Sequence, residues 1–119
     1  MIKKTDIDDA LSAHGLWKSR LESAISTGKS EYDPKIVQKD DACPFGKWLY
    51  SLGPADAQGV DFEKVKALHA EFHQTAGKVL QLALSGRKDE AERELDPSGS
   101  YRKITGKLVL ALQTWKEKI

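Results

Sequence analysis

The sequence predicts an all-α fold, an antiparallel four-helix-type bundle with one or two additional short helices. Apolar residues recur at three- and four-residue intervals over three long stretches, the pattern of amphipathic helices. No competing stretch alternates apolar and polar residues as a half-buried strand does. The chain has 119 residues, which is one domain's worth with a single hydrophobic core. We therefore expect residues 1–119 to form one domain.

The first predicted helix runs from Asp6 to about Thr27. Thr5 or Asp6 can cap its start, and Gly28 can end it in a left-handed conformation. Its apolar stripe consists of Ile7, Leu11, Trp17, Leu21 and Ile25. His14 falls on the same stripe, so it is either a hydrogen-bonded core histidine or a metal ligand.

The second part of the chain contains a short predicted helix. Residues 28–42 are polar and predict a connection, with one helical turn after Pro34. Pro44 suits the first position of a helix, which leaves Cys43 at the N-cap, and a Gly-Pro pair at 53–54 ends the helix.

Cys43 and Gly46, at the start of this short helix, both bear on a possible reactive or metal-binding site. The partial positive charge and free N–H groups of a helix N-terminus favour a thiolate, so we expect the pKa of Cys43 to be lowered. Gly46 has no side chain, and we expect another helix or a metal site to approach the backbone there.

The strongest helical pattern covers residues 61–85. It includes His69 and His73, which lie on or beside the apolar stripe and should point inward. A short charged helix is predicted over 88–95, and a last helix from about Tyr101 to Lys118 follows a break that contains Pro and Gly.

The two histidines of the long helix form a candidate metal site. Side chains four residues apart lie one turn from each other on the same helix face, so His69 and His73 could bind one transition-metal ion. A structural zinc site needs four ligands. The chain contains only one further histidine and one cysteine, His14 and Cys43. Helical spacing leaves open whether these two reach the pair.

The composition narrows the possible partners and compartments. The net charge is +1, which gives no reason to expect nucleic acid or an anionic membrane as a partner. A single cysteine excludes an internal disulfide and fits a reducing cytoplasm. No window approaches the roughly 18 consecutive apolar residues that a membrane span needs. We therefore expect a cytoplasmic protein, or a cytoplasmic part of a larger one, without membrane insertion.

Three sequence blocks together resemble a known family, the chemoreceptor zinc-binding (CZB) domain. That family has the pattern H-x-x-W, then C-x-F/L-G-x-W, then H-x-x-x-H, with gaps of similar size. The matching blocks here are His14-Gly15-Leu16-Trp17, Cys43-Pro44-Phe45-Gly46-Lys47-Trp48 and His69-Ala70-Glu71-Phe72-His73. Every histidine and the only cysteine fall on motif positions, and the resemblance covers about residues 5 to 118.

The resemblance implies a ligand set and a function. The zinc (Zn²⁺) ligands would be His14, Cys43, His69 and His73. Trp17, Phe45, Gly46 and Trp48 match positions that pack around the site. Relatives are cytoplasmic sensory domains, attached to chemoreceptors or diguanylate cyclases or standing alone, and several form homodimers. The implied function is sensing of zinc or a hypochlorite-type oxidant, with signalling to chemotaxis or cyclic-di-GMP machinery.

Other classes of function make different demands on the residues. A zinc hydrolase would need a glutamate directly after the first histidine, where this chain has Ala70, and Glu71 lies about 160° around the helix from the histidines. A zinc deaminase would need a second cysteine. We therefore expect no enzyme activity. A structural zinc-stabilised dimerisation module is the main alternative, and a metal-free helical adaptor is the third. Zinc, an oxidant or pH are all compatible with the residues as the signal.

Overall fold

The computed structural model describes residues 2–119 and confirms the all-α prediction. Within these residues there is no β-strand. The helices are α1 (Lys4–Gly15), α2 (Trp17–Thr27), α3 (Pro34–Val37), α4 (Pro44–Ser51), α5 (Val60–Leu84), α6 (Lys88–Leu95) and α7 (Ser100–Glu117). None of these helices combines the length and the apolar character needed to span a membrane.

The main helices alternate in direction, as the bundle prediction requires. Phe62 near the start of α5 contacts Trp115 near the end of α7, with ring centroids 6.2 Å apart. Further along, Phe72 lies 5.7 Å from Tyr101 at the start of α7. These two contacts make α5 and α7 antiparallel. The ring of Trp48 on α4 also lies 6.2 Å from that of Trp115, so α4 runs back from the cluster level towards the start of α5.

The first helix differs from its prediction, because it is interrupted at Leu16. Helix α1 ends at Gly15, and α2 begins at Trp17. Glycine is a weak helix former, since it loses the most backbone freedom on folding, and the interruption falls directly beside it. The helix resumes where the Arg20 N–H donates to the Leu16 carbonyl at 3.2 Å. It ends as predicted at Gly28, whose φ is 72°.

The predicted turn after Pro34 is present as α3. The Asp33 carboxylate caps it by accepting from the Lys35 N–H at 2.9 Å. Helix α3 packs tightly on α5 at Gly77, where an added Cβ would lie 2.8 Å from the Gln38 Cβ and 3.0 Å from the Pro34 carbonyl oxygen. This close approach holds the end of α3 against the face of α5 that carries His73.

The hydrophobic core follows the predicted stripes of the long helices. Its fully buried members include Ile7, Leu21, Leu49, Val65, Phe72, Val79, Leu80, Tyr101, Leu108 and Leu112. The three histidines are also buried within it. Burying a polar group is costly unless it is hydrogen-bonded or bound to a metal. These imidazoles therefore need polar partners inside the core.

Candidate metal centre

Four side chains from three separate segments converge inside the bundle. His14 comes from α1, Cys43 from the N-cap of α4, and His69 and His73 from α5. One potential ligand atom from each lies within 4.8 Å of all the others. His14, His69 and His73 are 6%, 0% and 2% exposed, whereas Cys43 is half-buried. The structure thus places all four predicted residues in one cluster.

Three distances within the cluster lie within about 0.2 Å of the edges of a zinc tetrahedron, and a fourth is about 0.4 Å longer. Zinc bonds of 2.0–2.1 Å to nitrogen and 2.3 Å to sulfur place two nitrogens about 3.3 Å apart and nitrogen and sulfur about 3.6 Å apart. The Nε2 atom of His14 lies 3.1 Å from that of His69 and 3.3 Å from that of His73. The Cys43 sulfur lies 3.4 Å from His69 Nε2 and 4.0 Å from His14 Nε2.

Backbone carbonyls orient two of the imidazoles. His14 Nδ1 donates to the Ala10 carbonyl at 2.7 Å, and His73 Nδ1 donates to the Val37 carbonyl at 2.9 Å. A neutral imidazole has a single N–H, so both rings then face each other with Nε2 lone pairs. Neither can donate to the other at 3.3 Å. A cation between these lone pairs would relieve their repulsion, and this arrangement also sets the tautomer that metal-bound histidines use.

The third imidazole differs from the other two because no backbone carbonyl in the described part of the chain orients its Nδ1 atom. His69 Nδ1 is buried and has no hydrogen-bond partner within residues 2–119. Burial, reinforced by repulsion from His73 and His14, lowers the pKa of His69 to about 2. Burial likewise lowers the pKa of His14 to about 4, and it lowers the pKa of His73. All three rings are therefore neutral at pH 7, the form that binds a metal.

The expectation of a lowered thiol pKa at Cys43 is wrong for the metal-free protein. The cap geometry is as predicted, with the Gly46 N–H donating to the sulfur at 3.3 Å. However, burial raises the pKa of Cys43 more than the surrounding N–H groups lower it. Deprotonation of this thiol therefore depends on a bound cation, as it does for other buried cysteine ligands.

Two phenylalanine rings pack against the cluster. Phe45 meets His69 and His14 edge-on, at centroid distances of 5.0 and 5.7 Å, and stacks on Trp48 at 5.5 Å. Phe72 contacts His14 at 5.2 Å. Phe45 thus packs directly on the site, as the resemblance implies, and Trp48 packs behind it. Trp17 instead lies beside the site and contacts Tyr32 at 5.0 Å.

The metal cluster approaches the backbone of Gly46 as predicted, since the Gly46 N–H lies against the Cys43 sulfur. On the side where a Cβ would stand, however, the neighbour is the backbone of the segment before Cys43 and not a helix. A Cβ at Gly46 would lie 2.8 Å from the carbonyl carbon of Asp40 and closer still to its oxygen. The Asp40 side chain accepts a hydrogen bond from the Tyr50 hydroxyl. The segment leading to Cys43 is therefore fastened along α4 by these two contacts.

Sequence reasoning missed several residues that position the ligands. The Ala10 carbonyl could have been found, because it lies one helical turn before His14. Phe72 directly precedes His73, but helical spacing does not reveal its contact with His14. Val37 lies in the predicted turn after Pro34, and Asp40 lies in the polar connection that follows it. No pattern there signals which carbonyl will meet His73 or Gly46.

A zinc ion bound to all four side chains of the cluster would have no open position for a substrate water. Zinc held by three imidazoles and one thiolate has a complete tetrahedral shell, so it would supply structural cross-linking and thiolate stabilisation, with no open position for water. Glu71, the acidic residue between the two histidines of α5, is exposed. The residues present therefore fit a closed zinc site.

A helical bundle with three neutral imidazoles and one thiol meeting in its core defines a zinc-binding helical domain. In a comparison with protein families, residues 14–80 match the chemoreceptor zinc-binding domain. The matched region is more than half of the chain and contains all four cluster residues, so this chain belongs to the CZB family, which is a zinc-binding and not a catalytic family. No curated protein matches the chain, and no solved structure does.

Proposed function

We propose that this chain is a cytoplasmic zinc-binding sensory domain, with His14, Cys43, His69 and His73 as its Zn²⁺ ligands. Its input is zinc occupancy or oxidation of Cys43 by a hypochlorite-type oxidant. Its output is a change in helix packing that a chemotaxis or cyclic-di-GMP signalling protein receives. The observation that carries the proposal is the cluster itself, with three buried imidazoles and one half-buried thiol contributed by α1, α4 and α5.

The four proposed ligands are far apart in sequence, which supports a coupling between zinc binding and helix packing. His14 and Cys43 lie 29 residues apart, and Cys43 and His69 lie 26 apart. One ion bound to all four would therefore cross-link three elements that otherwise meet through apolar contacts. A ligand that binds only the folded state stabilises it by mass action.

The unequal burial of the ligands supports Cys43 as the oxidant-sensitive member. The imidazoles are almost fully enclosed, whereas Cys43 is only partly buried and borders an open cleft. A zinc-bound thiolate is still a nucleophile. Two-electron oxidation by hypochlorite transfers one oxygen atom to sulfur, releases chloride and leaves a sulfenate, a weaker ligand.

Zinc titration of metal-free protein, followed by thermal unfolding, tests the ligand set. Free zinc at 100 times its dissociation constant should stabilise the wild type by about 2.7 kcal/mol. A Cys43→Ala, His69→Ala double variant should show no such gain. Glu71→Ala is the control, because this exposed residue lies between the histidines on α5, and it should respond as the wild type does. An equal gain in the double variant would exclude the proposed site.

Chelator exchange separates a sensor from a structural zinc module. The near-complete burial of His69 and His73 is the feature that favours the structural alternative. A sensor should lose zinc to a mild chelator within minutes and release it after one equivalent of hypochlorite, with one oxygen added to Cys43. Retention of zinc under both treatments would favour a structural zinc-stabilised dimerisation module and contradict the sensory proposal.

The proposal extends to the organisation of the protein. We infer that residues 1–119 act as one domain, that the domain forms a homodimer, and that its output partner is a chemoreceptor or a diguanylate cyclase, in cis or in trans. We propose that the domain neither binds nucleic acid nor inserts into a membrane. Sedimentation of the zinc-loaded protein over a concentration series tests the homodimer, and a monomer at all concentrations would rule it out.

A further inference from the structure

A cleft of about 340 Å³ opens beside the metal cluster. The start of α2 forms one side, and α3 with the first turn of α4 forms the other. His14, Cys43 and His73 lie at its inner end, and apolar side chains line most of its wall. Its volume lies within the roughly 300–1,000 Å³ of small-molecule sites.

The charged residues of this cleft are all basic. Arg20 and Lys39 line it, and no aspartate or glutamate does. The Arg20 guanidinium lies 5.0 Å from the ring centroid of Trp17 and 5.0 Å from that of Tyr32. Among the ion pairs that residues 2–119 form, none includes Arg20 or Lys39. The cleft therefore has two cations without a carboxylate partner.

The position of Arg20 suits an anion as well as an aromatic group. A guanidinium that stacks on ring faces is held in one orientation by cation–π attraction. Its N–H groups lie in the guanidinium plane and can bind a carboxylate through two parallel hydrogen bonds. The apolar wall beside it, formed in part by Trp17, Tyr32 and Val37, suits a hydrocarbon or aromatic body.

We propose that this cleft binds a small amphipathic organic anion, a monocarboxylate with an aromatic or branched aliphatic body. The carboxylate pairs with Arg20, and Lys39 adds a second positive charge. The apolar body lies against Trp17 and Tyr32 and points towards Cys43. This site is additional to the proposed zinc site, although the two share the inner wall of the cleft.

A second copy of the chain is the rival occupant. Two exposed apolar side chains, Leu16 and Ile36, stand on the rim at 53% and 54% exposure. A two-fold dimer centred on the cleft would bring each Arg20 and Lys39 close to their counterparts. Burying like charges without partners is unfavourable, so the charge of the cleft favours an anionic small molecule.

Titration of zinc-loaded protein with benzoate tests the proposal, with benzyl alcohol as the neutral probe that keeps the phenyl ring. The indole N–H resonance of Trp17, assigned with Trp17→Phe, reports occupancy. Benzoate should shift it with 1:1 saturation and bind at least about tenfold more tightly than benzyl alcohol, because hydrogen bonds to charged groups are the stronger ones. Arg20→Gln should reduce benzoate binding to the level of benzyl alcohol. Arg102→Gln, an exposed arginine away from the cleft, should change nothing.

Any one of three results would overturn the proposal. They are a Trp17 resonance that benzoate does not shift, binding of benzoate no tighter than that of benzyl alcohol, and equal binding of benzoate to the Arg20→Gln variant. A wild-type dimer that dissociates in Ile36→Lys and binds benzoate only then would identify the second copy as the occupant. Zinc content and circular dichroism of each variant check that it is folded. Zinc loading is measured separately, so failure of the cleft is distinguishable from failure of the proposed zinc function.

Discussion

A Gly46→Ala variant tests whether the close contact between Gly46 and the Asp40 backbone holds the segment that leads to Cys43. Gly46 is the third residue of α4, and its N–H donates to the Cys43 sulfur. An added Cβ would lie 2.8 Å from the Asp40 carbonyl carbon and 3.1 Å from the Asp41 Cα. Both atoms belong to the backbone, so no side-chain rotation can relieve the overlap.

The size of the effect follows from two opposing contributions. Ordinary contact begins at 3.4 Å, and the Asp40 carbonyl oxygen is the atom nearest the added Cβ, so the Asp40 backbone must move by more than about 1 Å. Overpacking of this kind costs about 1–3 kcal/mol. Alanine regains at most about 1 kcal/mol from its better helix propensity. We expect a net loss of about 1–2 kcal/mol, which lowers the unfolding midpoint by about 4–8 °C for a domain of this size.

Zinc affinity is the second measurement for Gly46→Ala. Movement of the Asp40 segment displaces the residues that lead into Cys43, so we expect the zinc dissociation constant to rise at least about tenfold, a loss of about 1.4 kcal/mol. Competition against a chromophoric chelator measures it. Because the three atoms nearest the added Cβ all belong to the backbone of Asp40 and Asp41, this loss would come through the position of Cys43.

Two other helical glycines provide graded controls. Gly106 has no atom within 4 Å of an added Cβ, so Gly106→Ala should stabilise the protein by about 0.5–1 kcal/mol and leave zinc affinity unchanged. Gly77→Ala should destabilise it, because the new Cβ would lie 2.8 Å from the Gln38 Cβ. If Gly46→Ala instead behaved like Gly106→Ala in both stability and zinc affinity, the proposed fastening by the Asp40 backbone would be refuted.

Two further predictions concern pH and the contact between Tyr50 and Asp40. Burial lowers the folded-state pKa of His14 to about 4 and that of His69 to about 2, whereas an unfolded histidine has a pKa of about 6.5. As the pH falls below about 6.5, the unfolded metal-free chain binds protons that the folded protein does not. Its unfolding free energy should therefore fall by up to about 1.4 kcal/mol per pH unit for each histidine. Thermal unfolding of chelator-treated protein at pH 7 and pH 5.5 checks this, and equal midpoints would contradict it. The hydrogen bond to Asp40, with a smaller effect of burial, raises the pKa of Tyr50 to about 12. Tyr50→Phe should cost less than about 1.5 kcal/mol and speed zinc transfer to a chelator, whereas an unchanged transfer rate would show that this bond does not hold the Cys43 segment.

The helices were predictable because their apolar residues repeat at helical intervals. The long stripe over residues 61–85 matches α5, and the last predicted helix matches α7 within a residue or two at each end. The interruption at Leu16 was not predicted, because the apolar stripe continues through it without a change of phase. Only Gly15 marks the place, and glycine is often tolerated within a helix.

The cluster was predictable from residue identity more than from geometry. Helical spacing alone places His69 and His73 on one face, but it leaves His14 as a possible core histidine. The three motif blocks shared with the CZB family brought His14 and Cys43 into the set. The motif blocks do not reveal that the pKa of Cys43 is raised. It depends on how much water the folded chain removes from the sulfur, and a cap position does not reveal that.

The cluster connects helix α5, which packs extensively on α7, with helix α4, which packs less firmly in the bundle. Helices α5 and α7 share the most extensive interface, so His69 and His73 stand on a rigid support. Helix α4 contacts the rest mainly through side chains such as Phe45 and Trp48, and clefts flank it on both sides. The Cys43 bond to zinc would thus connect the less firmly packed element to the rigid one. Loss of that bond should be felt first in α4 and in the segment that Gly46 holds, while α5 and α7 stay together. This difference in packing is the physical reason to look for the output of the proposed sensor at α4.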